Sequence, residues 1–225
     1  MAKKRLVSLN ITAMFPPENT GGVATHVNYL SMALNKLKTN ERHYVHVVSV
    51  HNETRICDKG SKPPNLHIHK IPGINSHFDA KGSIPYESVI RHCMSLCNDP
   101  KKRPHVIHVH DFEGVHIAAL LKAIYEIPII LTIHKTPKEW DKTEVYSEPK
   151  NFHLQALTKL DLFDYFIAPS KAYKQHLIDH KVCEDKIQII HHGIPKKYLH
   201  GLSSPEIFNR LGIDKNKTIL SKRYC

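Results

Sequence analysis

The sequence predicts an α/β fold, a Rossmann-like open parallel sheet with helices on both faces. Short apolar runs bounded by turn residues alternate along the chain with segments of helical apolar spacing, the pattern of repeated βα units. Polar and glycine residues collect just after the apolar runs, where open parallel sheets bind ligands. A chain of 225 residues is long enough to bury a sizeable core as one large domain.

Taken in order, residues 6–11 read as a buried strand, followed by a turn punctuated by Pro16 and Pro17. Gly21 and Gly22 then lead into a helix whose Val23, Val27, Leu30, Leu34 and Leu37 fall on one stripe, a spacing that fits helix and not strand. Residues 44–50 and 66–71 are the second and third strands, joined by a polar loop that ends in Pro63 and Pro64. Residues 83–97 suit a helix, and residues 100–104 break the chain before a fourth strand at 105–109. A helix at 114–125 precedes the fifth strand, which Pro128 opens and which runs to residue 133. Residues 136–149 are polar, hold the lone Trp140, and read as a loop over a site. Helices at 152–160 and 170–180 flank a sixth strand at 165–168. A seventh strand at 186–190, a short helix at 205–211 and the start of an eighth strand at 217–220 complete the series.

Composition narrows the class. The net charge of +11 is spread over Lys3 to Arg5, Lys101 to Arg103, Lys196–Lys197 and Lys222–Arg223. Such a balance favours an anionic partner, whether phosphorylated substrate, anionic membrane surface or nucleic acid. No RNA-binding aromatic signature, zinc finger or helix-turn-helix pattern accompanies it, so nucleic acid is not the expected partner. Five irregularly spaced cysteines do not form a disulfide framework. The apolar runs are too short to cross a membrane, and residues 1–5 run straight into a strand without a signal-peptide pattern. A reducing, cytoplasmic setting is expected, at most peripheral to a membrane.

The candidate functional residues sit at strand ends: Gly21–Gly22, His110–Asp111, Thr132 to Lys135, Ser170, and His191 to Gly193. Gly21–Gly22 has two readings. It is either a tight turn packing a helix on the sheet, or a loop that lets a ligand approach the backbone and the helix N-terminus. No G-x-G-x-x-G follows the first strand, which excludes the dinucleotide fingerprint. Ser170 also reads as a helix N-cap, and His110–Asp111 as a local hydrogen-bonded pair. The 19 histidines include His67 and His69, and His108 and His110, two apart on strand faces. No Cys-x-x-Cys supports a zinc site, so no metal is expected. No G-x-S-x-G elbow or activated cysteine is present either. Convergence of five strand ends on one crevice favours the ligand loop.

The order of segments PPENTGGVATHVNYLSMAL, HVIHVHDFEG, IPIILTIHKT, DYFIAPSKAYKQHLI and KIQIIHHGIP resembles the N-terminal, acceptor-side half of retaining glycosyltransferases with the GT-B fold. It is similar to their glycogen-synthase-like (glycosyltransferase group 1) branch, where GG-x-x-x-H, H-x-HD and T-x-H recur in this order. The resemblance implies transfer of a hexose from a nucleotide-sugar donor to a carbohydrate or lipid-linked acceptor hydroxyl in carbohydrate biosynthesis, with no required metal. Gly21, Gly22 and His26 of the first motif would lie near the donor phosphates or the acceptor. His134 would contact the transferred sugar as the catalytic-site histidine, beside Thr132 of the same motif. His110 and Asp111 would line the acceptor side, Lys135 would flank the cleft, and Ser170 and Gly193 would close it. His192-Gly193-Ile194-Pro195 stands where the family usually has Asn-Gly-Val-Asp. Residues 1–216 correspond to the N-terminal domain and 217–225 to the start of a donor-binding one. Arg223 resembles the arginine that helps bind the diphosphate. Residues 1–225 alone are then expected to be inactive without that second domain, supplied in cis or in trans. The competing readings are a non-catalytic Rossmann-like regulatory subunit and a basic domain that binds membrane or nucleic acid.

Overall fold

The computed structural model describes residues 4–13, 15–16, 21–37, 41–51, 64–72, 86–134 and 159–193. They form strands β1 (Lys4–Thr12), β2 (Glu41–His51), β3 (Leu66–Pro72), β4 (Val106–His110), β5 (Ile129–Thr132), β6 (Tyr165–Ala168) and β7 (Ile187–Ile189). The helices are α1 (Gly22–Lys36), α2 (Tyr86–Asn98), α3 (Val115–Tyr125) and α4 (Lys171–Asp179), with 3-10 turns at Phe112–Gly114, Leu160–Leu162 and Glu184–Lys186. All seven strands lie in one sheet of order β3-β2-β1-β4-β5-β6-β7, and every pairing is parallel. The chain divides into a unit at Met1–His192 and a smaller one at Gly193–Cys225, of which only Gly193 is described.

The first seven expected strands are all present, with ends shifted by up to three residues. Pro128 precedes β5 rather than opening it, since its missing N–H cannot join a ladder. Of the expected helix at 152–160, only its last residues are described, and there Leu160 opens a 3-10 turn. The expected loop at 136–149, helix at 205–211 and strand at 217–220 lie outside the described residues, as does most of 52–64.

One face of the sheet is a continuous aliphatic core. Leu9, Ile11, Ile107, Val109, Ile129, Leu131 and Phe166 pack there with Val89, Cys93, Leu96 and Cys97 of α2 and with Ala118 and Leu121 of α3. Each such side chain contributes about 1.5–3 kcal/mol on burial. Gly114 lets the turn before α3 press onto this face: an added Cβ would meet Val109 Cγ1 at 2.7 Å. On the other face, α1 sets Val23 and Val27 against Val45 and Val47 of β2 and Leu66 of β3. Over β1, β4 and β5 that second face turns polar, with Asn10, Thr12, His108, His110 and Thr132 all buried.

Candidate functional site

The strand order changes direction beside β1. From β1 the sheet grows outward to β2 and β3, and β4 then lies on the opposite side of β1. That switch point leaves a crevice at the carboxyl ends of β1 and β4, the usual ligand position in open parallel sheets. Gly21–Gly22 follow β1, His110 ends β4 and Asp111 follows it.

Gly21 has φ −66° and ψ 174°, an extended conformation open to any residue, and no side chain caps α1. An added Cβ at Gly21 or Gly22 meets nothing within 4 Å. Among the described residues, therefore, neither backbone strain nor packing demands the two glycines. Both are exposed, and they leave the helix N-terminus accessible.

Four imidazoles from four elements converge beside it. The ring of His26, in α1, lies 4.0 Å from that of His192, 4.9 Å from His134 and 5.8 Å from His110, centroid to centroid. Hydrogen bonds fix the tautomers in sequence. His110 Nε2 lies 3.3 Å from Asn10 Oδ1; the amide oxygen only accepts, so His110 donates from Nε2. His110 Nδ1 is then an acceptor and takes the proton of His134 Nε2, 3.3 Å away. His134 Nδ1 in turn accepts from His192 Nε2 at 3.2 Å. The result is a directed chain, His192 to His134 to His110 to Asn10, running from exposed His192 into the sheet. Beneath it, His108 Nε2 and Thr132 Oγ1 are 2.7 Å apart.

His134 is held from its backbone as well. Its N–H donates to Asp111 Oδ1 at 2.6 Å, and its carbonyl accepts from Tyr173 Oη of α4 at 3.0 Å. Asp111 reaches this position with φ 63° and ψ −178°, a region nearly exclusive to glycine that costs about 1–3 kcal/mol. Backbone strain at a strand end is thus linked directly to the placement of one histidine.

Burial favours the neutral form of His26, His108, His110 and His192. Desolvation, with His192 adding repulsion, pushes His26 down to about 4. Burial takes His108 down to about 3 and holds His110 well below the usual imidazole range. Burial, and then His191, lowers His192. In the His192–His134–His110 chain the ring N–H groups and lone pairs engage one another and Asn10, while His26 makes no ring hydrogen bond among the described residues. The set becomes available to hydroxyl groups or to a metal ion when these bonds exchange.

The structure brings together His26, His110, Asp111 and His134, with Thr132 below them in the same row. Ser170 caps α4, its Oγ accepting from Tyr173 N at 3.4 Å. Gly193 is exposed. Lys135 and Arg223 lie outside the described residues. Sequence reasoning missed Asn10 and Tyr173 as members of the site; His192 is among the strand-end candidates at 191–193, but its bond to His134 was not expected. A polar residue at the centre of an apolar strand is the available signal for Asn10.

Comparison with known proteins follows from this geometry. Sequence comparison with curated proteins gives no match. Sucrose-phosphate synthase from Thermosynechococcus elongatus is similar in structure at a TM-score of 0.72 and 13% identity, over 93% of this chain and 53% of that one. HepE of Anabaena, solved with UDP and glucose, is similar at 0.55 and 14% identity, over 92% of this chain and 50% of that one. UDP-GlcNAc 2-epimerase from Methanocaldococcus jannaschii is similar at 0.51 and 16% identity, over 83% and 45% respectively. The chain thus spans about half the length of the structures it matches. At such identities the likeness is one of fold, that of an N-terminal GT-B domain, and this fold serves a synthase and an epimerase alike. The family model is more selective: Glycosyltransferase Family 4 matches residues 20–197, a span that opens one residue before Gly21 and includes every histidine of the cluster, and the chain belongs to that family.

Proposed function

We propose that this chain is the acceptor-side domain of a retaining, nucleotide-sugar-dependent hexosyltransferase of the glycogen-synthase-like branch. The observation that carries the reading is His134, clamped through its backbone by Asp111 and Tyr173 and through its ring by His110 and His192. Its two ring nitrogens are engaged by His110 and His192, so a sugar hydroxyl replaces one of these partners while the backbone bonds to Asp111 and Tyr173 keep the ring in place. Preorganised polar groups are the main source of transition-state stabilisation in such sites. HepE, solved with UDP and glucose, shares the fold, which supports a nucleotide-sugar as the donor class.

In this reading Gly21 and Gly22 face the donor phosphates or the acceptor across the open N-terminus of α1, where partial positive charge favours an anion. His26, His110 and Asp111 line the acceptor side, Thr132 supports the floor through His108, and Lys135, Ser170 and Gly193 border the cleft. Transfer requires a second, donor-binding domain that residues 217–225 begin, with Arg223 on the diphosphate, and no metal cofactor. The enzyme works in the cytoplasm, and its basic surface rests against an anionic membrane when the acceptor is lipid-linked. Among the described residues no helix is long and apolar enough to cross a membrane.

Binding of free hexoses and UDP-hexoses to residues 1–225, followed by NMR, tests the reading. His134→Ala should abolish saturable hexose binding while leaving the thermal melt unchanged within a few degrees. Hexose binding unaffected by His134→Ala, or no hexose binding by the unmodified chain, would sink it. Addition of the donor-binding domain should then produce transfer with retained anomeric configuration, and inversion would refute the assignment to the retaining branch.

A further inference from the structure

We propose that His26, His110 and His134 form a binding site for one borderline divalent transition-metal ion, Zn2+ fitting best, with His192 orienting His134 from its far nitrogen. This departs from the expectation drawn from the sequence, which looked for cysteine pairs and found none.

Geometry comes first. One ring nitrogen from each of His26, His110 and His134 lies within 4.8 Å of the other two. Zn–N distances of about 2.0–2.1 Å in a tetrahedral site separate two ligand nitrogens by about 3.3–3.4 Å. His110 Nδ1 and His134 Nε2 already stand 3.3 Å apart. Only His26 has to close in, and among the described residues its ring contacts are with the imidazoles of His110, His134 and His192 and it makes no side-chain hydrogen bond. Turning that ring breaks no hydrogen bond within the described residues.

Proton bookkeeping agrees with the geometry. Without metal, His134 carries its ring proton on Nε2, aimed at His110. Metal binding needs that lone pair, so the proton moves to Nδ1, and His192 changes tautomer to accept it at Nε2. One tautomer shift at each of two neutral rings therefore converts the donor chain into a pair of lone pairs aimed at a common point, with no net proton gained or lost. Asn10 continues to hold His110 by accepting from Nε2. An outer partner on each ligating histidine is the usual device for fixing ring orientation at metal sites.

Ligand chemistry selects the ion class. Three neutral nitrogens with no coordinating thiolate or carboxylate suit Zn2+, Ni2+ and Cu2+ rather than Mg2+ or Ca2+. Asp111 directs Oδ1 at the His134 backbone. The buried thiols of α2 pack on the opposite face of the sheet, and burial pushes them up to about 12 for Cys93 and about 11 for Cys97. A second histidine group packs the rings of His67 and His92 against His46 and His69, a pair that hydrogen-bonds to itself at 2.9 Å. Among the described residues no three of its nitrogens lie close enough together to share one ion.

The ion would occupy the place assigned above to the hexose, so it acts as a competitor of the sugar and not as a cofactor. That part rests on the proposed function, whereas metal binding does not. The test is a titration of tag-free protein with Co2+ alone, read by the intense visible bands of tetrahedral cobalt, and with Zn2+ by calorimetry, with Mg2+ as the control. One equivalent of Co2+ and of Zn2+ should bind, and Mg2+ should not. His192→Ala should weaken Zn2+ binding about 10–100-fold, the range for an outer partner, and His26→Ala should weaken it further. His26 is half-buried, so circular dichroism of His26→Ala should stay native. Absence of the tetrahedral bands, or binding insensitive to His26→Ala in a folded variant, overturns the site. Zn2+ that binds with these dependences but leaves hexose binding unchanged overturns the competition alone.

Discussion

The row Val48–Ile11–Val109–Leu131–Phe166–Ile187 and the row Ser49–Thr12–His110–Thr132 lie one residue apart along neighbouring strands and face opposite sides of the sheet. No member of either row is more than 4% exposed, so solvent access does not separate them. The first row is aliphatic and aromatic and joins the main core. The second is built of hydroxyls and an imidazole. A strand in the middle of a parallel sheet is normally apolar on both faces. Here one face provides the stability, and the other forgoes some of it to hold a polar site at the switch point. The difference teaches that burial by itself does not identify a core; what matters is whether the buried groups are inert or poised.

Acid should expose the contrast most strongly. Burial depresses His108 to about 3 and holds His110 well below the usual imidazole range, both below their values in the unfolded chain. The unfolded state then binds protons that the folded state refuses, so stability is full above about pH 6.5 and falls as pH drops towards about 3. His108→Leu should move the acid-unfolding midpoint, followed by circular dichroism, to lower pH. A midpoint unchanged in that variant would mean the polar row is not the acid-labile element.

Leu131→Ala should act on the other row and lower stability by about 2–5 kcal/mol, equally at pH 5 and pH 8 in denaturant titrations. A pH-dependent loss would blur the distinction between the faces. Thr132→Val comes next. It keeps the shape but leaves the buried His108 Nε2 without its 2.7 Å partner, at a cost of about 1–3 kcal/mol, read as a lower melting temperature. Ser170→Ala, in the single-turn cap of α4, should cost about 0.5–1 kcal/mol, the low end being set by its 3.4 Å bond. A larger loss there would place α4 and its Tyr173 among the main supports of His134.

The strands were legible because their apolar runs are bounded by proline, glycine and polar residues. The strand-end residues were legible because motifs such as Thr132-x-His134 fall where parallel sheets bind ligands. Asn10 was not, for a physical reason: it reaches the cluster through a contact spanning 100 positions in sequence, which only strand register determines. For His192 the strand-end position was legible but the bond to His134, 58 positions away, was not. The alternation Leu9, Asn10, Ile11, Thr12 did carry the two-faced character of β1, and a period of two inside an interior strand is the sign to look for. Gly21–Gly22 admitted two readings from sequence. The open space above both residues removes the packing demand that one of them needed.

Asp111 has a consequence for engineering. At φ 63° and ψ −178°, glycine would sit there at ease, and a screen that rewards heat resistance should return Asp111→Gly as a winner with a raised melting temperature. The same change removes the carboxylate that holds the His134 amide, so sugar binding should fall as heat tolerance rises. A laboratory lineage selected for robustness alone would drift towards a sturdier sheet with an unheld histidine at its edge.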